Sequence, residues 1–232
     1  MGAMTTAATA TERSAGSDVA ISTVLASTAG FVDSCGFVAL FGLFTAHVTG
    51  NFVLIGATLA SPRPGIVAKL LAFPAFVLIV AATQLVVHAC KRRGRDPARV
   101  VLGGQAGFLA LFLAAGVWAQ PVADADSSIA IAVGLLGVAA MAIQNAASRT
   151  VFVSYPPTTV MTGNVTQTVM DAVEVVLGTA DAAGKARLRK MLPPVVGFAL
   201  GAIAGGIGFV RFGFGCLAAP LVAVLYVAWR RT

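Results

Sequence analysis

The sequence contains one three-residue motif twice, as Thr49-Gly50-Asn51 and as Thr162-Gly163-Asn164. The second copy follows the first by about half the length of the 232-residue chain. An apolar run that contains threonine precedes each copy, and a helix-like apolar stretch follows it. We call these two copies of the motif the first break and the second break. They predict a duplicated protein in which each half brings a polar, glycine-containing interruption into an apolar setting.

The composition places the chain in a membrane. Hydrophobic residues make up 58% of the sequence, charged residues only 11%, and the mean hydropathy is +0.89. Soluble domains average about 25% charged residues. At about 20 residues per crossing, the length suits one membrane domain with roughly six to eight hydrophobic segments.

The net charge of +7 has a topological interpretation. In a soluble protein it would suggest a nucleic-acid partner. Here the basic residues lie in short stretches between apolar runs, without aromatic residues placed for stacking. This pattern is typical of positive charge kept on the cytoplasmic side of a membrane, and we expect no nucleic-acid partner.

The sequence has no pattern typical of an enzyme or a metalloprotein. The three cysteines are far apart, with no Cys-x-x-Cys and no pair of histidines at ligand spacing. There is no P-loop, dinucleotide fingerprint or nucleophile motif. We therefore expect no catalytic residues, no metal and no cofactor.

The two halves share one order of segments. Residues 1–18 are small and polar and are predicted to form a disordered tail, residues 19–120 the first membrane repeat, and residues 121–232 the second. Each repeat has a long span, a short segment and two further spans. The predicted segments are 19–43, 47–60, 66–89 and 100–119 in the first repeat and 129–148, 158–177, 191–210 and a last one ending at Trp229 in the second.

Further residues match between the halves. Asp33 falls opposite Asn145 if one inserted residue is allowed, and Lys69 falls near Lys190. The short segment 47–60 has too few residues for a full crossing and fits a re-entrant half-helix.

Charge distinguishes two topologies. If all eight segments cross, the basic clusters at 91–99 and 185–190 lie on opposite sides, which conflicts with the positive-inside rule. If the two short segments enter and return on one side, six spans remain, and both basic clusters and both termini are cytoplasmic. We therefore predict an all-α integral membrane protein with six spanning helices, two short broken or re-entrant helices and an internal three-plus-three inverted repeat. The alternative is a parallel duplication of eight segments.

The breaks are the predicted site. Threonine and asparagine are good helix N-caps, and Asn164 with Gln167 resembles a capping box. Two half-helix starts that face each other at the midplane would favour an anion or a polar solute with acceptor oxygens. The alternative is that both breaks are close helix-packing contacts.

Polar residues within or beside the apolar segments complete the predicted site. An acid inside a span is costly and is by default a functional candidate, although Asp33 also fits a carboxyl that is hydrogen-bonded in the core. His47 fits a proton relay or a structural histidine equally well. The candidate solute-binding residues are Asp33, His47, Thr49, Gly50, Asn51, Gln144, Asn145, Thr162, Gly163 and Asn164.

Two longer stretches resemble a known family. Residues 29–33 with 44–51, and Gln144-Asn145-Ala146 with 159–164, are similar to the two signatures of the YoaK-like bacterial membrane proteins, a family with a domain of unknown function. The resemblance covers nearly the whole chain from about residue 19. It implies a multi-pass protein of the bacterial inner membrane and implies little about activity. His47 stands where the family pattern leads us to expect a smaller polar residue.

We therefore expect a small transporter or channel for a polar or anionic solute, with a homodimer as a possible assembly. The second hypothesis is a membrane scaffold that transports nothing and uses the breaks for packing. A solvent-accessible central cavity that touches both breaks would favour the first hypothesis, and a dry, packed centre the second.

Overall fold

The computed structural model describes the backbone of residues 2–230 and the side chains of residues 16–230, and over these residues it is helical without any strand. The side chains of residues 1–15, most of the predicted disordered tail, lie outside the described part of the chain, and the backbone of residues 2–18 belongs to the first helix. The helices are α1 (Gly2–Ala39), α2 (Gly50–Ala60), α3 (Ile66–Arg92), α4 (Pro97–Ala119), α5 (Ser128–Thr150), α6 (Met161–Val176), α7 (Ala182–Phe212), a 3₁₀ helix (Gly213–Leu217) and α8 (Ala218–Arg230).

Five helical stretches in the described chain are long and apolar enough to cross a membrane. The last of them contains α7, the 3₁₀ helix and α8 together. The two short predicted segments, which correspond to α2 and α6, are not among them. The stretches are Gly16–Ala39, Ile66–Arg92, Pro97–Ala119, Ser128–Thr150 and Ala182–Arg230.

Capping residues place three helix starts. The Asp96 carboxylate accepts a hydrogen bond from the Ala98 nitrogen, the Ser127 hydroxyl from Ala130, and the Asp181 carboxylate from Gly184. As a result α7 begins nine residues before the predicted start at residue 191. The predicted start at residue 191 was therefore wrong, and the basic cluster at 185–190 lies in the first turns of α7.

The helix contacts repeat when the halves are exchanged. α1 of the first half packs along α7 of the second half, and its counterpart α5 of the second half packs along α3 of the first half. Likewise α4 packs on α5 as α8 packs on α1, and α2 packs on α3 as α6 packs on α7. The most buried spans are α5 and α1, with 67% and 56% of their apolar windows inside the protein. One central helix therefore comes from each half.

The two central helices run in opposite directions. Gln144, near the end of α5, donates a hydrogen bond to the carbonyl of Leu25, in the first half of the span of α1. Gly134, near the start of α5, faces Leu40, directly after the end of α1. The sequence order of the contacts is thus reversed between the two helices.

Glycines allow α1 and α7 to pack backbone against backbone. A Cβ atom at Gly201 would lie 2.1 Å from the Ser27 carbonyl oxygen, and one at Gly205 would lie 2.1 Å from the Phe31 carbonyl oxygen. Small residues permit this approach in membrane helices, where packing rather than water drives association.

Candidate functional site

The first loop, residues 40–49, folds back from the end of α1 so that its backbone reaches Asp33. The Oδ1 atom of Asp33 accepts hydrogen bonds from the backbone nitrogens of Thr45 at 2.7 Å, Ala46 at 2.7 Å and His47 at 3.4 Å. It also lies 3.3 Å from the Thr45 hydroxyl. Asp33 is only 6% exposed. One carboxyl oxygen therefore accepts hydrogen bonds from three consecutive backbone nitrogens. This arrangement matches the alternative in which Asp33 is a carboxyl group hydrogen-bonded in the core.

The turn that allows this return has unusual backbone angles. Phe41 and Gly42 both have positive φ, at 55° and 82°, a region that disfavours residues with a side chain. Beyond the turn, Thr45 packs against Gly137 of α5, where a glycine Cβ would lie 3.0 Å from its methyl group. The first loop is thus held between the two central helices.

Asn51 ties the start of α2 to the same loop. Its Oδ1 accepts from the Phe44 nitrogen at 3.0 Å, and its Nδ2 donates to the Phe44 carbonyl at 2.9 Å. Thr49 makes no side-chain cap bond to α2, so the predicted capping role was wrong for this residue. Thr49 and His47 are both exposed, and a Cβ at Gly50 would lie 2.9 Å from the His47 ring.

The second break repeats one of these contacts. Asn164 is buried, and its Nδ2 donates to the carbonyl of Pro157 at 2.7 Å, with the same sequence separation that joins Asn51 to Phe44. Proline has no N–H, so the second bond of the first half has no counterpart here. The predicted capping box was wrong, because Gln167 donates instead to Asp171 at 2.8 Å. Thr162 and Gly163 are exposed.

Gln144 holds the second loop, residues 151–160. Its Nε2 donates to the Thr158 hydroxyl at 3.0 Å and to the Leu25 carbonyl at 2.7 Å. Thr158 occupies the position in the second loop that Thr45 occupies in the first. The sequence alignment had placed Asn145 opposite Asp33, but Gln144 makes the corresponding contact. The longer glutamine side chain reaches the loop from one position earlier, and Asn145 is half-buried beside it.

Residues that the sequence analysis did not select extend this cluster. The Nε2 atom of Gln105, on α4, donates to the Oε1 atom of Gln144 at 2.7 Å, and the hydroxyls of Ser148 and Thr158 lie 3.1 Å apart. Gln105 is completely buried. A single glutamine inside an apolar span carries no pattern that identifies its partner, although its polarity in that setting was a signal.

Each loop also accepts a hydrogen bond from a lysine that lies outside its cluster. The Nζ atom of Lys69 donates to the carbonyls of Phe41 at 2.8 Å and Gly65 at 3.0 Å. The Nζ atom of Lys190 donates to the carbonyl of Ser154 in the second loop. The sequence alignment had matched the two lysines, and the structure gives them the same partner position.

The two loops contact the central helices at different depths. Thr45 meets α5 at Gly137, and Thr158 meets it at Gln144, which is about 10 Å further along the axis at 1.5 Å per residue. Residues 138–143 of α5, which lie between these contacts, are buried. The candidate residues therefore form two separate clusters with apolar side chains between them.

One groove lies on the side of the bundle. Its volume is about 810 Å³, it is lined mainly by apolar residues of α1 and α7, and it touches the first loop at Phe44. Among its lining residues, this groove includes Phe44 of the first loop and no residue of the second loop.

An ion pair fixes α6 to α7. Arg187 donates to both carboxylate oxygens of Asp171, at 2.8 Å and 2.5 Å. The Asp171 side chain is 1% exposed. The hydrogen bonds from Arg187 lower the pKa of Asp171 below its usual value, and the one from Gln167 adds to the effect.

Comparison with known proteins identifies the family. No curated protein and no solved structure matches the chain. A family model described as "Protein of unknown function (DUF1275)" matches residues 21–229, which include both loops, both breaks and all the helices that hold them. The protein therefore belongs to the DUF1275 family.

Proposed function

We propose that the protein is a membrane transporter or channel for a small polar or anionic solute, which binds where the two loops meet the central helices. The observation that carries this proposal is that α1 and α5 run in opposite directions. Asp33 of α1 binds the first loop, and Gln144 of α5 binds the second loop. Inverted repeats with broken segments at the midplane are the recurrent architecture of secondary transporters.

The direction of the helices also supports the six-span topology. If every helix spans, three crossings (α2, α3 and α4) lie between α1 and α5, and the two would then run in the same direction. If α2 and α6 return to the side from which their loops came, only two crossings (α3 and α4) lie between α1 and α5, and these two helices run in opposite directions. In this arrangement the clusters at 91–99 and 185–190 and both termini are cytoplasmic, with three basic exceptions on the outer side. These exceptions are Arg63, Lys69 and Arg211.

If the protein transports a solute, its packed centre makes this structure an occluded state, with no open path between the two loops. Residues 138–143 of α5 separate the two loops, so a solute that crosses must displace them. Alternating access would move the α1–α7 pair relative to the α3–α5 pair, because these pairs correspond under exchange of the halves.

The same packed centre favours a second candidate function. A membrane scaffold needs no aqueous path, and for such a protein the bonds from Asp33, Asn51 and Asn164 would only shape the fold. For location and assembly, the resemblance to YoaK-like proteins supports the bacterial inner membrane, and analogy with other small transport proteins supports a homodimer.

Cysteine accessibility tests the topology that the transport proposal requires. Single cysteines at the exposed positions Pro62, Gly94, Ala123 and Ala186 would be placed on a background without Cys35, Cys90 and Cys216. A membrane-impermeant thiol reagent should label Gly94→Cys and Ala186→Cys from the cytoplasm and the other two from outside. Labelling of Gly94→Cys and Ala186→Cys from opposite sides would remove the inverted repeat and the facing sites with it.

Flux separates the transporter from the scaffold. Purified protein in liposomes would be tested for saturable uptake of small carboxylates, chloride and neutral polar solutes against protein-free liposomes. Thr49→Cys and Thr162→Cys would be labelled in parallel, since both side chains are exposed. Uptake together with labelling from water supports transport, and the absence of both supports the scaffold. If uptake is driven by protons, unchanged pH dependence in Asp33→Asn removes Asp33 from the coupling.

A further inference from the structure

Two cysteines that are far apart in the sequence meet in the folded chain. The Sγ atoms of Cys35, on α1, and Cys216, in the 3₁₀ helix, lie 3.7 Å apart, although 181 residues separate them. Both are thiols in this structure, and their side chains are 0% and 9% exposed. The spacing of cysteines along the sequence could not reveal this pair, because each half of the chain supplies one member.

A glycine of α7 leaves room for this contact. A Cβ atom at Gly208 would lie 3.2 Å from the Cβ atom of Cys216 and 3.2 Å from the ring of Phe31. Phe31 lies one helical turn before Cys35 and therefore on the same face of α1. The two sulfurs thus meet where α1, α7 and the 3₁₀ helix pack together.

The distance between the sulfurs suits a covalent link. A disulfide bond is about 2.05 Å long, and its formation requires that the two sulfurs can approach each other directly. At 3.7 Å the sulfurs of Cys35 and Cys216 are in van der Waals contact, so no other group lies between them. Rotation of the two short side chains brings them closer.

The proposed topology places this pair and the third cysteine on opposite sides of the membrane. With a cytoplasmic N-terminus α1 ends on the outer side, and Cys35 lies four residues, or about 6 Å, before that end. The basic first turns of α7 are cytoplasmic, so the 3₁₀ helix with Cys216, which follows α7, is also on the outer side. Cys90 lies near the end of α3, beside the cytoplasmic cluster at 91–99. Disulfides persist in oxidising compartments outside the cytoplasm and are rare within it.

We propose that Cys35 and Cys216 form a disulfide that links the outer end of α1 to the turn between α7 and α8, while Cys90 stays a thiol. This inference goes beyond the proposed transport and uses only the topology given with it. The oxidant is the disulfide of a thiol–disulfide oxidoreductase on the outer side of the membrane.

The exchange proceeds in two steps. Cys216 is the more exposed of the pair and follows the exposed Gly215. After loss of its proton, its sulfur attacks the external disulfide and releases one thiolate. Cys35, also deprotonated, then attacks the Cys216 sulfur and releases the second thiolate. The pair loses two protons and two electrons, and the external disulfide is reduced to two thiols.

The bond would enclose most of the chain. Cross-links that close long loops constrain the unfolded chain strongly, so the oxidised protein should resist unfolding better than the reduced one. We expect a reductant to lower the unfolding midpoint of the wild type in detergent. The same reductant should leave the midpoint of Cys216→Ser unchanged.

Thiol counting in membranes that contain the full-length protein tests the bond. N-ethylmaleimide in sodium dodecyl sulfate blocks every free thiol. After reduction, a maleimide–polyethylene glycol reagent labels only the thiols released from disulfides. We expect two labels on the wild type and none on Cys35→Ser or Cys216→Ser. Cys90→Ser is the matched control and should keep both labels.

Three results of thiol counting would overturn the proposal. These are an unlabelled wild type, labels that persist in both Cys35→Ser and Cys216→Ser, and loss of the labels in Cys90→Ser. If the serine variants do not fold, mass spectrometry of the wild type digested without reduction decides the matter. A linked pair of peptides, lighter by two hydrogen atoms than the two free peptides together, supports the disulfide, and recovery of both peptides only as blocked thiols overturns it.

The thiol count is independent of the flux assay. A disulfide in a protein without flux of any solute supports this inference and removes transport alone. Flux by a protein whose three cysteines are all blocked as free thiols removes the disulfide alone.

Discussion

Asp33 on α1 and Ala46 in the following loop are joined by a 2.7 Å hydrogen bond from the backbone nitrogen to the carboxyl Oδ1, although 13 residues separate them. With the bonds from Thr45 and His47, this contact turns the chain back into the bundle before α2 begins. An acid inside a span can thus organise the backbone of the loop that follows it.

The contact predicts a large loss of stability in Asp33→Ala. The variant leaves buried donors of Thr45 and Ala46 without an acceptor, at about 1–3 kcal/mol for each unsatisfied group. Asp33→Asn should lose less, because its amide oxygen still accepts. Thermal unfolding in detergent measures both, with the half-buried neighbour variant Ser34→Ala as control. Equal unfolding midpoints for Asp33→Ala and the control would show that Asp33 does not hold the loop.

The two break asparagines should respond differently to the same substitution. Asn51→Asp keeps the acceptor for the Phe44 nitrogen and loses one donor, whereas Asn164→Asp loses the only bond to Pro157 and places an acid beside that carbonyl. We expect Asn164→Asp to be the less stable variant, with a difference on the order of one hydrogen bond, about 0.5–1.5 kcal/mol.

The alanine variants serve as controls for this asymmetry. Asn51→Ala removes two bonds to the loop and Asn164→Ala removes one, so their order should be reversed relative to the aspartates. Unfolding midpoints of the four proteins give the answer. The same order in both pairs would contradict the bonding described for the breaks.

Much of this architecture could be predicted from the sequence, for identifiable reasons. Hydropathy and breaker residues located the helices, and the short segments are α2 and α6, which are not among the membrane-spanning candidates. The choice of hydrogen-bond partners could not be predicted in the same way. Asn51 and Asn164 have the side chains of N-caps, but each bonds to a carbonyl or nitrogen seven residues earlier, because the loop path brings that group closer than the helix end. In the first loop, that path depends on the positive φ angles at Phe41 and Gly42, which no periodicity reveals.

The glycines of α7 give a prediction about helix packing. Gly201→Ala should disrupt the α1–α7 contact, because the added Cβ would meet the Ser27 carbonyl oxygen at 2.1 Å and backbone cannot move aside cheaply. Gly206→Ala, on the same helix, meets nothing within 4 Å and should be neutral or slightly stabilising, by up to about 1 kcal/mol from helix propensity.

Size-exclusion profiles and unfolding midpoints of the two variants measure this difference. We expect a lower midpoint or aggregation for Gly201→Ala alone. If both variants behave like the wild type, the two helices pack less closely than the structure indicates.

The Asp171–Arg187 pair gives a dependence on pH whose sign can be derived. The pKa of Asp171 is lowered in the folded protein by the hydrogen bonds from Arg187, relative to about 3.9 in an unfolded chain. The stability from this depression is fully present above the unfolded pKa and is lost as the pH falls through the folded pKa. Asp171→Asn should therefore have a lower unfolding midpoint than the wild type at pH 7, and the gap should stay constant down to about pH 5 and shrink below about pH 4. Glu174→Gln, an exposed change on the same helix, is the control and should leave the pH profile of the wild type in place. A gap between the wild type and Asp171→Asn that widens as the pH falls would show that the α6–α7 contact does not depend on the ionised carboxylate.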